Sequence, residues 1–282
     1  MPVSKTPDKC VITVSDLHCG CQFGLCPPNI TLDGGGKYNQ SPLQKITWGW
    51  WKNEFWGKWV PEVTDGKPFD LVINGDLMDG VHHNSTSQIS HNHADQFKIA
   101  EKAIKTVIDV HQPTNIYVVR GTEVHSGQSA ENEERLAKAI GAKPDKSGRY
   151  SRDELWLKVG NGLAHFLHHV GASGSNGHES TALCKEYAEA CTEAARWGYP
   201  IPDWVIRSHR HRHIEVRVPT KNGRGTSISL PAWQLKTAFA FKVAGARQTQ
   251  PQIGGIAVIA RHGEMYTRSW VQSIKREKPE IA

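Results

Sequence analysis

DWVIRSHRHRH, Asp203 to His213, joins two halves that ask for different surroundings. The first half is apolar and β-branched and reads as a buried strand. The second sets three histidines against two arginines and is open to three readings: a basic patch, a stray polar strand, or part of a metal site. In an extended segment residues i and i+2 share a side, so His209 and His211 point together while Arg210 and Arg212 point away. A His-x-His pair is common by chance. The reading turns on whether other apolar strands run into the same kind of residue.

Four of them do. CVITV (Cys10–Val14) runs into SDLHCG, which carries Asp16 and His18. DLVIN (Asp70–Asn74) runs into GDLMDG, with Asp76 and Asp79. NIYVV (Asn115–Val119) runs into RGTEVHSG, with Thr122, Glu123 and His125, and LAHFL (Leu163–Leu167) runs into HHVG, with His168 and His169. Each taken alone is most simply a capped turn. Five in succession, each after an apolar run, are hard to produce by accident. Segments with helical periodicity lie between them, at Ala94–His111, Ala130–Ala142 and Thr181–Gly198, the last two reaching a glycine. Strands alternating with helices predict a layered α/β fold, in which ligands gather beyond the carboxyl ends of the strands. Mixed carboxylate and imidazole donors suit zinc, manganese or iron, and there are more donors than one ion needs. After His213 the pattern becomes strand after strand: IEVRV, TSISL, GGIAVIA and EMYTRSWV.

The order Asp-x-His, Gly-Asp-x-x-Asp, a glycine loop with histidine, a histidine after a strand and then His-x-His resembles the calcineurin-like metallophosphoesterase superfamily. The resemblance covers Asp16 to His211 and implies an αββα sandwich of two mixed sheets flanked by helices, with a dinuclear metal site at the strand-end loops. It implies Asp16, His18 and His211 on one ion, Asp76 shared, and His168 and His209 on the second. The ions would be divalent, manganese favoured, with zinc or iron as alternatives. Their chemistry would be in-line attack of a metal-bridging hydroxide on a phosphodiester. The usual Gly-His-x-His stands here as Ser208-His209-Arg210-His211. The usual Gly-Asn-His stands as Gly121-Thr122-Glu123-Val124-His125, so Thr122, Glu123 or water takes the asparagine's place and His125 that of the catalytic acid. His168 is preferred to His169 because it directly follows the apolar run. Asp79 reads as a carboxylate that orients a ligand imidazole. The compact chain and the Gly-Thr-x-x-His variant are similar to phosphoesterases of phage and prophage genomes.

The remaining sequence bounds this reading. The chain has 282 residues, 38% hydrophobic and 22% charged, with a net charge of +6, fifteen histidines and ten tryptophans. It holds no bilayer-length apolar run and no leader pattern, so the expected location is the cytoplasm with no membrane partner. The lysines and arginines are scattered, and the excess positive charge points weakly to an anionic substrate. Six cysteines without framework spacing predict free thiols, and the Cys19-x-Cys21 pair lacks a fourth zinc ligand. DGGGKYN (Asp33–Asn39) reads as a surface turn rather than a phosphate loop. A single domain is expected, with insertions at about 22–65 and 80–95. In the first, ITWGWWKNEFWGKWV (Ile46–Val60) reads as a core-facing helix in preference to a base-stacking platform. In the second, GVHHNSTSQISHNH (Gly80–His93) either contacts substrate or is solvated. The expected substrate is a nucleotide or nucleic-acid diester. The alternatives are a phosphomonoesterase or protein phosphatase, and a nucleic-acid-binding protein with a degenerate metal site.

Overall fold

The computed structural model describes residues 8–82, 84–171, 178–220, 225–243, 249–262, 264–274 and 280. In chain order its elements begin with β1 (Lys9–Val14), the short pair β2 (Ile30–Thr31) and β3 (Lys37–Tyr38), and α1 (Pro42–Gly49). A π-helical stretch (Trp50–Trp59) leads into α2 (Val60–Thr64), β4 (Asp70–Asn74), α3 (His93–His111) and β5 (Ile116–Val119). Then come α4 (Glu123–Ser126), α5 (Glu131–Ala139), β6 (Ser151–Arg152), β7 (Leu155–Val159) and β8 (Gly162–Phe166). The chain continues with α6 (Glu179–Trp197), β9 (Trp204–Arg207), β10 (Ile214–Val218), β11 (Gly225–Ser229), α7 (Ala238–Lys242), β12 (Ile253–Arg261) and β13 (Glu264–Gln272).

Two mixed sheets face each other. The first has the order β13-β12-β1-β4-β5-β6 and the second β10-β11-β9-β8-β7. β1, β4, β5 and β6 run parallel, as do β8, β9 and β11, while β12, β13, β10 and β7 join antiparallel. Val11, Val72, Val119, Ile256 and Val258 from the first sheet pack against Phe166, Ile206 and Ile228 from the second, forming the central core. The alternate residues Ile12, Val14, Leu71 and Ile73 face the helices on the other side. With both faces covered, the strands carry unbroken apolar runs rather than an alternating pattern. α3 adds Ile99, Ala100, Ala103, Ile104 and Val107 to the core on that outer side, together with the tryptophan-rich helix, and α6 covers the second sheet with Ala182, Leu183 and Tyr187. The helix–sheet–sheet–helix layering agrees with the expected sandwich. Among the described residues no helix is long and apolar enough to cross a membrane.

Some details differ from the sequence expectations. The tryptophan-rich helix starts earlier, at a capping box in which Ser41 accepts from Gln44 N and Gln44 accepts from Ser41 N. It widens into π-helical turns, its end marked by Val60 N–H donating to Phe55 O. Trp51, Phe55, Trp56 and Trp59 are buried, and even Trp48 and Trp50 pack against the core. Four of the six rings in the segment are thus core, in line with the core-facing reading, while Trp48 and Trp50 are only partly buried. The strand β7 escapes sequence reading because it sits at a sheet edge with a half-buried pattern that carries no clean apolar run. Cys10, Cys19, Cys21 and Cys26 are free and buried, as expected of structural thiols. Of the histidines in Gly80–His93, position 83 lies outside the described residues.

Candidate metal centre

Parallel neighbours end at the same edge of a sheet, so the loops after β1, β4 and β5 run together on the first sheet and those after β8 and β9 on the second, and hydrogen bonds between Asn74 and Leu167, Ser208 and His168 join the two sets. The side chains do not converge by the strand alternation expected from sequence. β1 ends at Val14 and β9 at Arg207, and the donors that follow sit in left-handed turns. Asp16 (φ 53°), His18 (42°), Asp76 (53°), His209 (71°) and His211 (54°) make five of the eleven described non-glycine residues with positive φ. Asp and His tolerate this region better than most residues, yet each such position costs about 1–3 kcal/mol. Strain of this kind persists where the surrounding structure imposes a side-chain geometry. Glycine is required where the loops touch. A Cβ on Gly75 would meet the His168 ring at 2.8 Å and Gly121 Cα at 2.7 Å, and one on Gly121 would strike the Asp76 carboxylate.

Three groups of donors result among the described residues; two of them make the centre, and the third, His18, Asp79 and His125, lies beside them. Asp16, His18 and His211 bring one ligand atom each within 4.8 Å of the others, and Asp76, His168 and His209 do the same. The groups share a boundary. Asp16 Oδ1 lies 3.2 Å from His211 Nε2 and 3.9 Å from both His18 Nε2 and His168 Nε2, while Asp76 Oδ2 lies 3.1 Å from His168 Nε2 and 3.9 Å from His18 Nε2. His18 Nε2 and His211 Nε2 stand 3.3 Å apart, which is repulsive unless a proton or cation lies between them. Asp16 Oδ1 and His168 Nε2 are buried without a hydrogen-bond partner. An unsatisfied buried polar atom costs roughly 1–3 kcal/mol, more when charged, so these inward-facing atoms are arranged for something that binds to them.

The polar groups behind the donors set their direction. His168 Nδ1–H donates to Asn74 O at 2.7 Å, which fixes the tautomer that turns Nε2 inward. Asn74 Nδ2 in turn donates to Ser208 Oγ at 2.6 Å and Leu167 O at 3.1 Å, tying the loops after β4, β8 and β9 together. Ser15 Oγ donates to Asp16 Oδ2, leaving Oδ1 for the cluster. Thr122 N–H donates to Asp76 Oδ1 at 2.7 Å, leaving Oδ2. Asp79 faces His18 Nδ1 at 3.3 Å through Oδ1, an oxygen that also accepts from Gln234, and takes Gln88 on Oδ2. Burial works to raise the Asp76 and Asp16 pKa values, but the surrounding imidazoles outweigh it and hold both carboxyls below the usual range. Burial likewise works to lower His168, and Asp76 and Asp16 override it and raise it to about 10. The two carboxylates demand positive charge at this point, and a proton or a divalent cation answers that demand.

The other anticipated residues fall into place unevenly. The Thr122 hydroxyl is 3.4 Å from Asp76 Oδ2 and 3.3 Å from His209 Nδ1, at the edge of the second group. Glu123 opens α4, exposed and outside both groups. His169 is exposed, with Nε2 3.3 Å from the Thr122 hydroxyl, while His168 occupies the cluster. His125 hydrogen-bonds the Asp79 carbonyl through Nδ1, and its Nε2 points inward, 3.9 Å from Asp76 Oδ2. Its ring meets His18 and His82 edge-on at 4.6 Å. Burial above all lowers its pKa to about 4, so the free imidazole is neutral.

Glu133 was not anticipated. Fully buried on α5, it accepts Leu77 N–H at 3.3 Å and Gly121 N–H at 2.7 Å, clamping the loops that carry Asp76 and Thr122. Burial first, and Asp76 second, raise its pKa to about 7 from an ordinary 4.5. A folded pKa above the unfolded one means that this group's contribution is greatest below pH 4.5 and shrinks as pH rises to about 7, by at most roughly 1.4 kcal/mol per unit. Glu133→Gln removes that slope, although its amide leaves one of the two N–H groups without an acceptor. Denaturant unfolding in chelator at pH 5 to 7 checks this; equal slopes for the two proteins would refute it.

No protein-family model and no curated relative matches the sequence. Among solved structures the chain is similar to vacuolar protein sorting 29 from Cryptosporidium parvum, at 11% identity over 95% of this chain and 99% of that one, with a TM-score of 0.35. It is also similar to a Thermotoga maritima protein solved by NMR in solution, at 9% identity over 94% and 99%, with a TM-score of 0.37. Values this low leave the functional reading to the chain's own residues.

Proposed function

We propose that the chain is a metal-dependent phosphoesterase that prefers diesters and uses two divalent ions, manganese first among them. The observation that carries this reading is the pair of buried carboxylates, Asp16 and Asp76, each turning one oxygen toward a shared centre ringed by four imidazoles. Asp16, His18 and His211 would hold one ion, His168 and His209 the other, and Asp76 both. Bound there, the ions supply Lewis acidity toward the phosphoryl oxygens and a water of lowered pKa.

The protein's own groups do the rest. Asn74, Asp79 and the Thr122 N–H orient His168, His18 and Asp76, so the donors stand ready before substrate arrives. A cavity of about 510 Å³ opens beside the cluster. Arg210 and Lys236 bring positive charge to its wall, and Leu235, Phe239 and Val243 supply an apolar side. That combination suits an anionic phosphate with an organic group on each ester arm, such as a nucleotide or nucleic-acid diester. His82 on the same wall brings the polar loop after β4 to the cavity, which favours substrate contact over mere solvation.

His125 is placed to move a proton at Nε2. Its Nδ1–H stays on the Asp79 carbonyl, and a bound phosphate ester favours the imidazolium that gives the proton to the leaving oxygen. His125→Asn is expected to lower kcat by about 10²-fold or more with little change in KM. A kcat within threefold of wild type would remove His125 from the chemistry. The reaction itself is tested by hydrolysis of an aryl phosphodiester beside the matching monoester, with manganese, zinc or chelator. Faster diester cleavage that chelator abolishes supports the proposal. Preference for the monoester overturns the diester assignment, and silence toward both with every metal overturns the enzyme.

A further inference from the structure

A second cavity, of about 570 Å³, lies across the other sheet, between β7, β8 and the C-terminal half of α6. None of its lining belongs to the metal cluster. Its walls are aromatic: Trp156 on the edge strand, and Trp197 and Tyr199 around the end of α6, where Gly198 turns left-handed (φ 70°). These rings are 46%, 63% and 68% exposed, although large aromatic side chains ordinarily bury most of their surface.

Two of the three are fixed in place. Trp156 stacks on the His165 ring at 4.0 Å and 6°, so one face is covered and its exposure lies elsewhere on the indole. Trp197 donates Nε1–H to Glu193 at 2.8 Å, one helical turn back. A held aromatic surface loses little freedom when a ligand arrives.

The charge in the cavity is one-sided in a chain that is positive overall. Glu154, Glu186, Glu189 and Glu193 line it against a single cation, Arg207. Arg207 is buried and pairs with Glu186 at 2.8 Å. Glu193 pairs with Arg196. His165 gives its Nε2–H to Glu154 at 3.0 Å; burial first and Arg207 second lower its pKa to about 4, so it brings no positive charge. Arg207 also attracts Glu154 and Glu189, but four carboxylates against Arg207 and Arg196 leave the cavity negative for a ligand to offset.

We infer that this cavity is a binding site for a small organic cation of the alkylammonium class. Aromatic faces attract cations through the ring quadrupole, and the nearby carboxylates add charge attraction without requiring a particular hydrogen-bond geometry. The volume falls within the range of small-molecule sites. The site is separate from the metal cluster, so the inference stands or falls independently of the phosphoesterase reading.

Calorimetry with choline and with its uncharged isostere 3,3-dimethylbutanol tests it on the full chain. Choline is expected to bind and the alcohol to bind at least about tenfold more weakly. Trp197→Ala, at an exposed position that does not threaten folding, should weaken choline by about fivefold or more, and Glu189→Gln should weaken it by severalfold and flatten its salt dependence. Hydrolysis of the aryl ester should be unchanged in both variants. No heat from choline up to millimolar concentration, or equal binding of choline and the alcohol, overturns the inference. So does a dimer in sedimentation that Trp156→Ala dissolves, since the aromatic face would then serve a second copy of the chain.

Discussion

Asp76→Asn should abolish hydrolysis, lowering the rate by on the order of 10³-fold or more, while leaving the protein folded. The amide keeps the size of the carboxylate and can keep the Thr122 N–H on its remaining oxygen, so the loop has no reason to move. It loses the negative charge at Oδ2, the one atom that faces His168, His18 and His125 together. Removing a charge shared by two cation sites sacrifices several kcal/mol of electrostatic stabilisation, at about 1.4 kcal/mol per tenfold in rate. Metal content separates this from a folding defect: manganese bound after dialysis should fall from two ions per chain toward one or none, while the variant still unfolds cooperatively in chelator, if less stably because His168 loses its buried partner. A variant that still binds two ions and retains more than a tenth of the activity would show that Asp76 is not the shared ligand. A wild type that binds two ions yet hydrolyses neither ester would leave the metal centre standing and the reaction wrong.

Much of this site is legible in the sequence because donors follow apolar runs at five places, and a parallel sheet puts the ends of such runs on one edge. Reading the segments as strands is therefore enough to pair Asp16 with Asp76 and His168 with His209, whereas bringing the two pairs together takes the facing of the two sheets, which only the family resemblance supplies. The manner of their convergence is not legible. Left-handed φ at Asp16, His18 and His211 depends on how neighbouring loops pack, a long-range property that no local pattern records. The replacement for the family's asparagine is equally opaque, since Thr122 and Glu123 are adjacent and only the start of α4 turns one toward Asp76 and the other to solvent. Glu133 was readable after all. It shares the stripe Glu133, Leu136, Ala137 on α5, continued by Ile140 just past its end, so an acid stands where helical periodicity asks for an apolar residue. Gln96 repeats the signal on α3 beside Ile99, Ala100 and Ala103, and it holds Gly80 through both N–H and C=O. A polar residue on a core stripe marks a loop that needs a partner.

The largest loss of stability is expected from Trp233→Ala, at about 3–5 kcal/mol. Trp233 is fully buried, its ring 4.7 Å from Trp51, 5.6 Å from Phe55 and 6.1 Å from Trp270, where the tryptophan-rich helix meets the first sheet. Truncation leaves a hole that Trp51 and Phe55, themselves locked by Trp56 and Trp59, cannot collapse to fill. Trp233→Phe should cost far less. It keeps most of the ring volume and deletes Nε1–H, a buried donor with no hydrogen-bond partner, whose burial itself costs roughly 1–3 kcal/mol. Denaturant unfolding of the three proteins measures the order, and an alanine variant less than about 1 kcal/mol below wild type would show that the helix is not held by this ring. The same residue links stability to the site. Its backbone N–H donates to Asp16 O at 2.9 Å, and the next residue, Gln234, donates to Asp79. The alanine variant should therefore also bind manganese more weakly, whereas the phenylalanine variant should bind it as wild type does. That pairing distinguishes a core that merely fills space from one that holds the loop behind Asp16 and His18 in position.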